Sequence, residues 1–204
     1  MDTEFVRKRL ECCPICGGEL TSMVSGNTMC TKCKELFEYN SSRKIWKNRN
    51  IIDIAYLDPN SSVLSNLFPH VFAMSTIYGM IKFASMEAFF RCLCLNNDTI
   101  DAIYDLANLS GMDAYRVRHA LPDWRVSQKV FWNGKYIERE SEEYKELLKN
   151  AYDTMFECNP LFRMALKKTK GKILMHTMGE TNPKETLLTP NEYMEMLNRE
   201  RDRL

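Results

Sequence analysis

The clearest periodicity in the chain lies in its second half. Tyr144, Leu147, Leu148, Ala151, Tyr152, Met155 and Phe156 recur at the spacing of one helical face, and Ser141 stands where an N-cap is needed. Asn159-Pro160 ends that helix and opens another with Phe162, Ala165 and Leu166 inward, lysines in its last turn and Gly171 as its stop. Thr189-Pro190-Asn191-Glu192 is a capping box with proline at the first helical position, which predicts a helix over Asn191–Arg203. Upstream, Ser85 caps an apolar face of Met86, Phe89, Phe90, Leu93 and Cys94, and Asp98 and Ser110 are expected to cap the next two helices.

Strand signals are short. Asn133-Gly134 between Phe131-Trp132 and Lys135-Tyr136-Ile137 predicts a two-residue hairpin. Val71–Ala73 and Ile77–Tyr78 read as further short strands beside Pro69. Near the start, Glu19–Met23, Asn27–Met29 and Glu35–Tyr39 have β-like character. Asn40–Asn50 is polar and basic and reads as a linker. Its Trp46, set among Arg43, Lys44, Lys47 and Arg49, suggests either a nucleic-acid contact or a ring packed back with Ile45. The expected architecture is α+β. Residues 1–50 form a small β ribbon with its linker, and residues 51–204 form a mostly helical domain with short strands.

Composition narrows the function classes. The chain has 204 residues, 45% hydrophobic and 27% charged, so a folded core is expected. A net charge of +1 argues against a chain-wide polyanion binder. No stretch has the roughly 18 consecutive apolar residues of a membrane span. The acidic, apolar-poor start resembles neither a signal nor a transit peptide, so a cytoplasmic location is expected, the host cytoplasm if the source is viral.

Cysteine placement carries the most specific chemistry. Cys13-Pro14-Ile15-Cys16 and Cys30-Thr31-Lys32-Cys33 are two Cys-x-x-Cys knuckles, the spacing of a closed four-thiolate site for structural Zn2+. Gly17 and Gly18 follow the first knuckle, where a tight turn is required. A redox pair is disfavoured, since no βαβ pattern surrounds the motif. Cys12 falls outside the spacing, and Cys92, Cys94 and Cys158 lie in helical, apolar patterns. The histidines His70, His119 and His176 lack metal spacing, and there is no Gly-rich phosphate loop. Glu87 stands out as a carboxylate in the first turn of an apolar helix. It is either a helix starter or a partly desolvated acid/base group.

Several blocks match in order. Leu64-Ser65-Asn66-Leu67-Phe68-Pro69 is followed by Ser85-Met86-Glu87-Ala88-Phe89-Phe90, then by Trp124, Gln128 and Phe131-Trp132-Asn133-Gly134-Lys135. Asn159-Pro160-Leu161-Phe162-Arg163 and Leu174-Met175-His176-Thr177-Met178-Gly179 continue the series. Together they resemble the NADAR family (NAD- and ADP-ribose-associated, also called YbiA-like) over about residues 62–200, with the ribbon outside. The resemblance implies an N-glycosidase that cuts the C1 N-glycosidic bond of an ADP-ribose-type or nucleotide-derived substrate, including ADP-ribose on guanine in nucleic acid or riboflavin-pathway intermediates. By the same resemblance Glu87 is the catalytic carboxylate. Ser65, Asn66, Phe68, Arg116, Arg118, Trp124, His176 and Gly179 are the substrate-binding residues. The family's helix carries lysine where this chain has Cys94, so iminium chemistry requires Lys82 or Lys129 to reach the site. Two other readings stand beside the enzyme: a non-catalytic module that binds an ADP-ribose-like nucleotide, and a zinc-ribbon nucleic-acid adaptor.

Overall fold

A computed structural model describes residues 10–96 and 99–204. The N-terminal part is an antiparallel meander of β1 (Leu20–Ser22), β2 (Thr28–Cys30), β3 (Leu36–Asn40) and β4 (Ile45–Lys47), paired in chain order. Its small core holds Cys13, Cys30, Phe37, Trp46 and Ile51. The segment expected as a linker is therefore partly a strand. Tyr39 pairs with Trp46 across β3 and β4, with ring centroids 5.2 Å apart, and Ile45 and Trp46 are both buried. Burial removes Trp46 from the surface, so it is the packed ring of the two alternatives and not a stacking platform for a base.

β5 (Ile51–Asp53) leaves this sheet and runs parallel to β10 (Ile173–Met175), with Ile51 opposite Ile173. Ile51 fills the ribbon core while Ile173 and Met175 pack against that core from the other side. A five-residue apolar cluster is too small to hold a fold without a staple or a docking surface, and here it has both the cysteine cluster and this seam.

The larger core is built from mixed elements. β6 (Phe72–Thr76) and β7 (Gly79–Phe83) form a hairpin whose turn is Ile77-Tyr78, the pair expected to be a strand. Gly79, at φ +98, lets the chain reverse there, and Thr76 Oγ1 accepts the Tyr78 amide at 3.1 Å. α1 (Met86–Cys92) begins at Ser85, whose hydroxyl accepts the Ala88 amide at 3.1 Å. It buries Phe89 edge-on against Phe72, Phe83 and Trp132.

α2 (Ile100–Ala107) has Thr99 at its N-cap position, and the expected cap Asp98 lies outside the described residues. α3 (Gly111–Arg116) is capped by Ser110. A Cβ on Gly111 would sit 2.1 Å from the Leu67 carbonyl oxygen, so glycine alone allows this helix start to rest on the 65–67 turn.

After α4 (Trp124–Ser127), β8 (Lys129–Trp132) and β9 (Lys135–Glu138) form the hairpin that Asn133-Gly134 predicts, with both turn residues at positive φ (52° and 78°). α5 (Glu142–Cys158) is capped by Ser141 and buries the seven-residue stripe read from the periodicity. α6 (Pro160–Lys168) and α7 (Pro190–Asp202) pack on it, and Thr189 and Glu192 close the capping box at the start of α7. Seven α-helices with small sheets among the described residues make the fold α+β. No helix among them is long and apolar enough to cross a membrane.

Candidate functional site

The cysteine knuckles fold into one cluster. Cys13 and Gly18 close the first turn, with Cys13 N–H donating to Gly18 O at 2.9 Å and Gly17 N–H to Cys13 O at 2.8 Å. The second turn closes through Lys34 N–H to Cys30 O at 3.0 Å. The four Sγ atoms of Cys13, Cys16, Cys30 and Cys33 lie within 4.8 Å of one another, with Cys13–Cys33 at 3.7 Å and Cys16–Cys30 at 3.5 Å. Thiolates about 2.3 Å from a tetrahedral ion are about 3.8 Å apart, so the cluster is positioned for a metal. The Cys33 amide donates to Cys30 Sγ at 3.4 Å and pulls that thiol down to about 6, toward the thiolate a metal requires. Cys12 is exposed and outside the cluster. Four protein ligands leave no open position for a reacting group.

The second feature is a cavity of about 800 Å³. Glu87, at the second position of α1, has 12% of its side chain exposed and lines this wall. Its amide donates to Asn66 O at 3.0 Å, and its carboxylate meets the Arg91 guanidinium one turn along at 3.3 Å. Burial pushes the Glu87 carboxyl up, and the positive charges of Arg91 and Arg118 only partly oppose this. The Nε of Arg91 is buried without a hydrogen-bond partner among the described residues. Cys94 also lines the wall. Its thiol donates to Phe90 O at 3.4 Å, and burial pushes it up to about 11, so it is a neutral thiol. Lys82 is exposed on β7 and Lys129 pairs with Glu138 at 3.0 Å; neither lines the cavity, so neither supplies an amine there.

Six of the remaining expectations converge on this wall. Asn66 is oriented by Tyr152, whose hydroxyl donates to Asn66 Oδ1 at 2.7 Å. Ser65 accepts the Leu67 amide at 3.2 Å, so its hydroxyl shapes the turn that carries Asn66. Arg118 donates to Tyr115 O at 2.8 Å and lies 3.8 Å above the Tyr115 ring. Trp124 begins α4, half-buried against the edge of the large core. His176 shares a hydrogen bond between Nδ1 and Ile54 O at 2.7 Å and stands edge-on to Tyr193. A Cβ on Gly179 would approach Pro190 Cγ to 2.7 Å and His176 Cδ2 to 3.1 Å, so glycine lets that loop pass close to α7.

Two residues depart from the expectation. Phe68 is off the cavity wall and stacks on His70, with centroids 4.8 Å apart. Arg116 is exposed and pairs with Asp113 at 2.9 Å, because the chain tightens to a 3-10 turn at Val117–His119 and sends only Arg118 to the cavity.

The cavity also uses residues outside the expected substrate-binding set. Arg91 pairs with Glu87 at i,i+4, a spacing that is the sequence signal for it. The role of Tyr152 is invisible in sequence, because it reads as one more apolar position of α5. Arg43 and Lys44 reach the cavity from the ribbon's β3–β4 turn.

The family model of bacteriophage protein GP30.3 matches residues 59–202. The chain belongs to the bacteriophage GP30.3 family. A relative from enterobacteria phage T4, described as an uncharacterized 17.1 kDa protein in the Gp30-rIII intergenic region, is 34% identical over 146 residues, covering 71% of this chain and 91% of the phage T4 protein. No solved structure matches. Membership of the NADAR family is thereby corrected, since the family that matches is the phage one. The blocks that carried the resemblance are largely caps and turns, Ser85 on α1, Asn133-Gly134 in the hairpin and Asn159-Pro160 before α6, which local backbone chemistry favours in unrelated chains. The cavity residues Glu87, Arg91, Arg118, Trp124 and His176 lie within the span matched to GP30.3, and the four cysteines lie before it.

Proposed function

We propose that this GP30.3-family protein binds a phosphorylated, ring-bearing ribosyl compound of the ADP-ribose type in the cavity and cleaves its C1 N-glycosidic bond, with Glu87 as the acid/base carboxylate. The observation that carries the reading is Glu87 itself, a carboxyl raised by burial on the wall of an 800 Å³ cavity with guanidiniums beside it. A carboxyl whose hold on its proton is strengthened by burial is suited to protonating a leaving nitrogen. The C1–N bond breaks as that nitrogen takes the Glu87 proton. A water oxygen then bonds to C1 and returns a proton to the carboxylate. Arg118 is assigned to phosphate oxygens, which guanidinium forks match, and Trp124 to a ring of the ligand.

Binding without cleavage is the second reading. It is favoured by the ion pair that already engages Glu87 with Arg91 and by Cys94, a neutral thiol unable to form an iminium. The adaptor reading loses its stacking residue with Trp46 buried. We assign the ribbon's ion as Zn2+, because four thiolates in a tetrahedron are its usual structural set. Action in the host cytoplasm accords with the phage family.

The test is turnover followed by liquid chromatography and mass spectrometry, with wild type and Glu87→Gln on NAD and on DNA bearing ADP-ribose on guanine. Release of base by wild type alone supports the enzyme. ADP-ribose binding by calorimetry without release selects the binding module. Neither release nor binding removes both.

A further inference from the structure

The ribbon and the cavity share a boundary. Arg43 and Lys44, in the turn between β3 and β4, line the cavity although they lie outside the span matched by the GP30.3 family. Their position is fixed from two sides. Arg43 Nη1 donates to Asp58 Oδ1 at 3.0 Å, and Asp58 is itself buried and accepts the Ser61 hydroxyl at 3.1 Å. The strand that follows is anchored by the Trp46 amide, which donates to Asp53 Oδ2 at 2.7 Å.

Asp53 is buried and also accepts Thr177 N–H at 3.0 Å and Thr177 Oγ1–H at 2.6 Å, next to the cavity residue His176. Ribbon strand, Asp53 and cavity wall are thus one connected set of hydrogen bonds. The Arg43 guanidinium spends one nitrogen on Asp58. Its Nε and Nη2 make no hydrogen bond among the described residues, and 38% of the side chain is exposed.

We propose that this turn is the phosphate-binding arm of the site, with Arg43 and Lys44 holding the phosphates of a diphosphate-bearing ligand. The proposal rests on the reading of the cavity as a nucleotide-type ligand site. A guanidinium held at one edge by a carboxylate and open at the others is oriented for phosphate without further ordering cost. Because the four-cysteine cluster organises the sheet from which the turn projects, metal and ligand are linked. Each raises the affinity of the protein for the other by the same factor.

The experiment uses the full zinc-loaded chain. Calorimetry with ADP-ribose and with adenosine is run on wild type, Arg43→Gln and Lys44→Gln, and zinc release to a chelating dye is followed in wild type with and without saturating ADP-ribose. The expected result is an affinity for ADP-ribose at least fivefold weaker in each variant, adenosine binding unchanged, and zinc release slowed by ADP-ribose. If wild type binds ADP-ribose but the variants bind it equally well, or its zinc release is indifferent to the ligand, the arm is overturned and the cavity reading stands. If wild type binds no ADP-ribose, both fall together.

Discussion

The Tyr152 hydroxyl donates to the Asn66 side-chain carbonyl at 2.7 Å, joining residues 86 positions apart in the chain. Tyr152 is fully buried on α5, and Asn66 lies on the cavity wall two residues after the short 3-10 turn at Ser62–Leu64. The bond fixes which end of the amide is engaged and leaves its N–H2 for a ligand. Tyr152→Phe keeps the packing and removes the bond. The expected outcome is a loss of about 1 kcal/mol in urea unfolding, with a larger proportional loss in ADP-ribose affinity because Asn66 is released to rotate. Equal affinity in the variant and wild type would show that the Asn66 orientation is immaterial to binding.

Glu87 ties function to stability with a definite sign. Burial raises its folded-state pKa above the ordinary value of 4.5. The folded protein then holds more protons than the unfolded chain between 4.5 and the raised value, so stability falls as pH climbs through that window. Glu87→Gln resembles the protonated side chain at every pH. It is expected to unfold at higher urea than wild type at pH 7.5, to match wild type below pH 4, and to release no base from any substrate. A variant less stable than wild type at pH 7.5 would mean that the Arg91 ion pair outweighs the burial of the carboxylate.

How far the sequence reached depends on the range of the interaction. Ser85, Ser110, Ser141 and the Thr189–Glu192 box cap their helices because a cap is a contact across three residues. Each knuckle is likewise a local turn legible from its Cys-x-x-Cys spacing, while the β1–β2 pairing between them brings Cys13 to Cys33 and Cys16 to Cys30. Misreadings came where tertiary contacts overrode a local pattern. Ile77-Tyr78 has strand-like residues yet forms the hairpin turn, beside Asn133 of the next hairpin, whose Oδ1 accepts the Ile77 amide at 3.3 Å. The polar run around Trp46 became a strand because the ring found Tyr39 and the amide found Asp53. Arg118 and Arg116 were indistinguishable in sequence, and only the tightening of the helix end separates them.

Gly18 tests the metal cluster through space alone. A Cβ there would stand 2.8 Å from Lys32 Cβ, 3.1 Å from Cys30 Sγ and 3.3 Å from Cys16 Sγ, so the added methyl drives the two knuckles apart. Overpacking of this kind costs roughly 1–3 kcal/mol. Gly18→Ala is therefore expected to bind zinc about tenfold more weakly in competition with a chelating dye, since 1.4 kcal/mol corresponds to a factor of ten. Unaltered zinc affinity would require Lys32 and the sulfurs to yield at no cost.

The Arg139–Glu192 pair sets the expected acid sensitivity of the elements around the larger core. Arg139, 1% exposed, donates through Nη1 and Nη2 to the two carboxylate oxygens of Glu192 at 2.9 and 2.7 Å, while Nε donates to Thr186 O at 2.8 Å. Burial pushes the Glu192 carboxyl up, but the bonds from Arg139 and from the Thr189 amide outweigh it and hold the group below its ordinary 4.5. The unfolded chain then takes up protons first, so this contribution is complete above about 4.5 and is lost as pH falls through the lowered folded value. Glu192→Gln removes that dependence and leaves Arg139 buried beside a neutral partner, a loss of about 3 kcal/mol at pH 7. Urea midpoints measured from pH 7 down to pH 3 are expected to converge for the two proteins as wild-type Glu192 is protonated. A constant gap across that range would place the acid-labile interaction elsewhere in the fold.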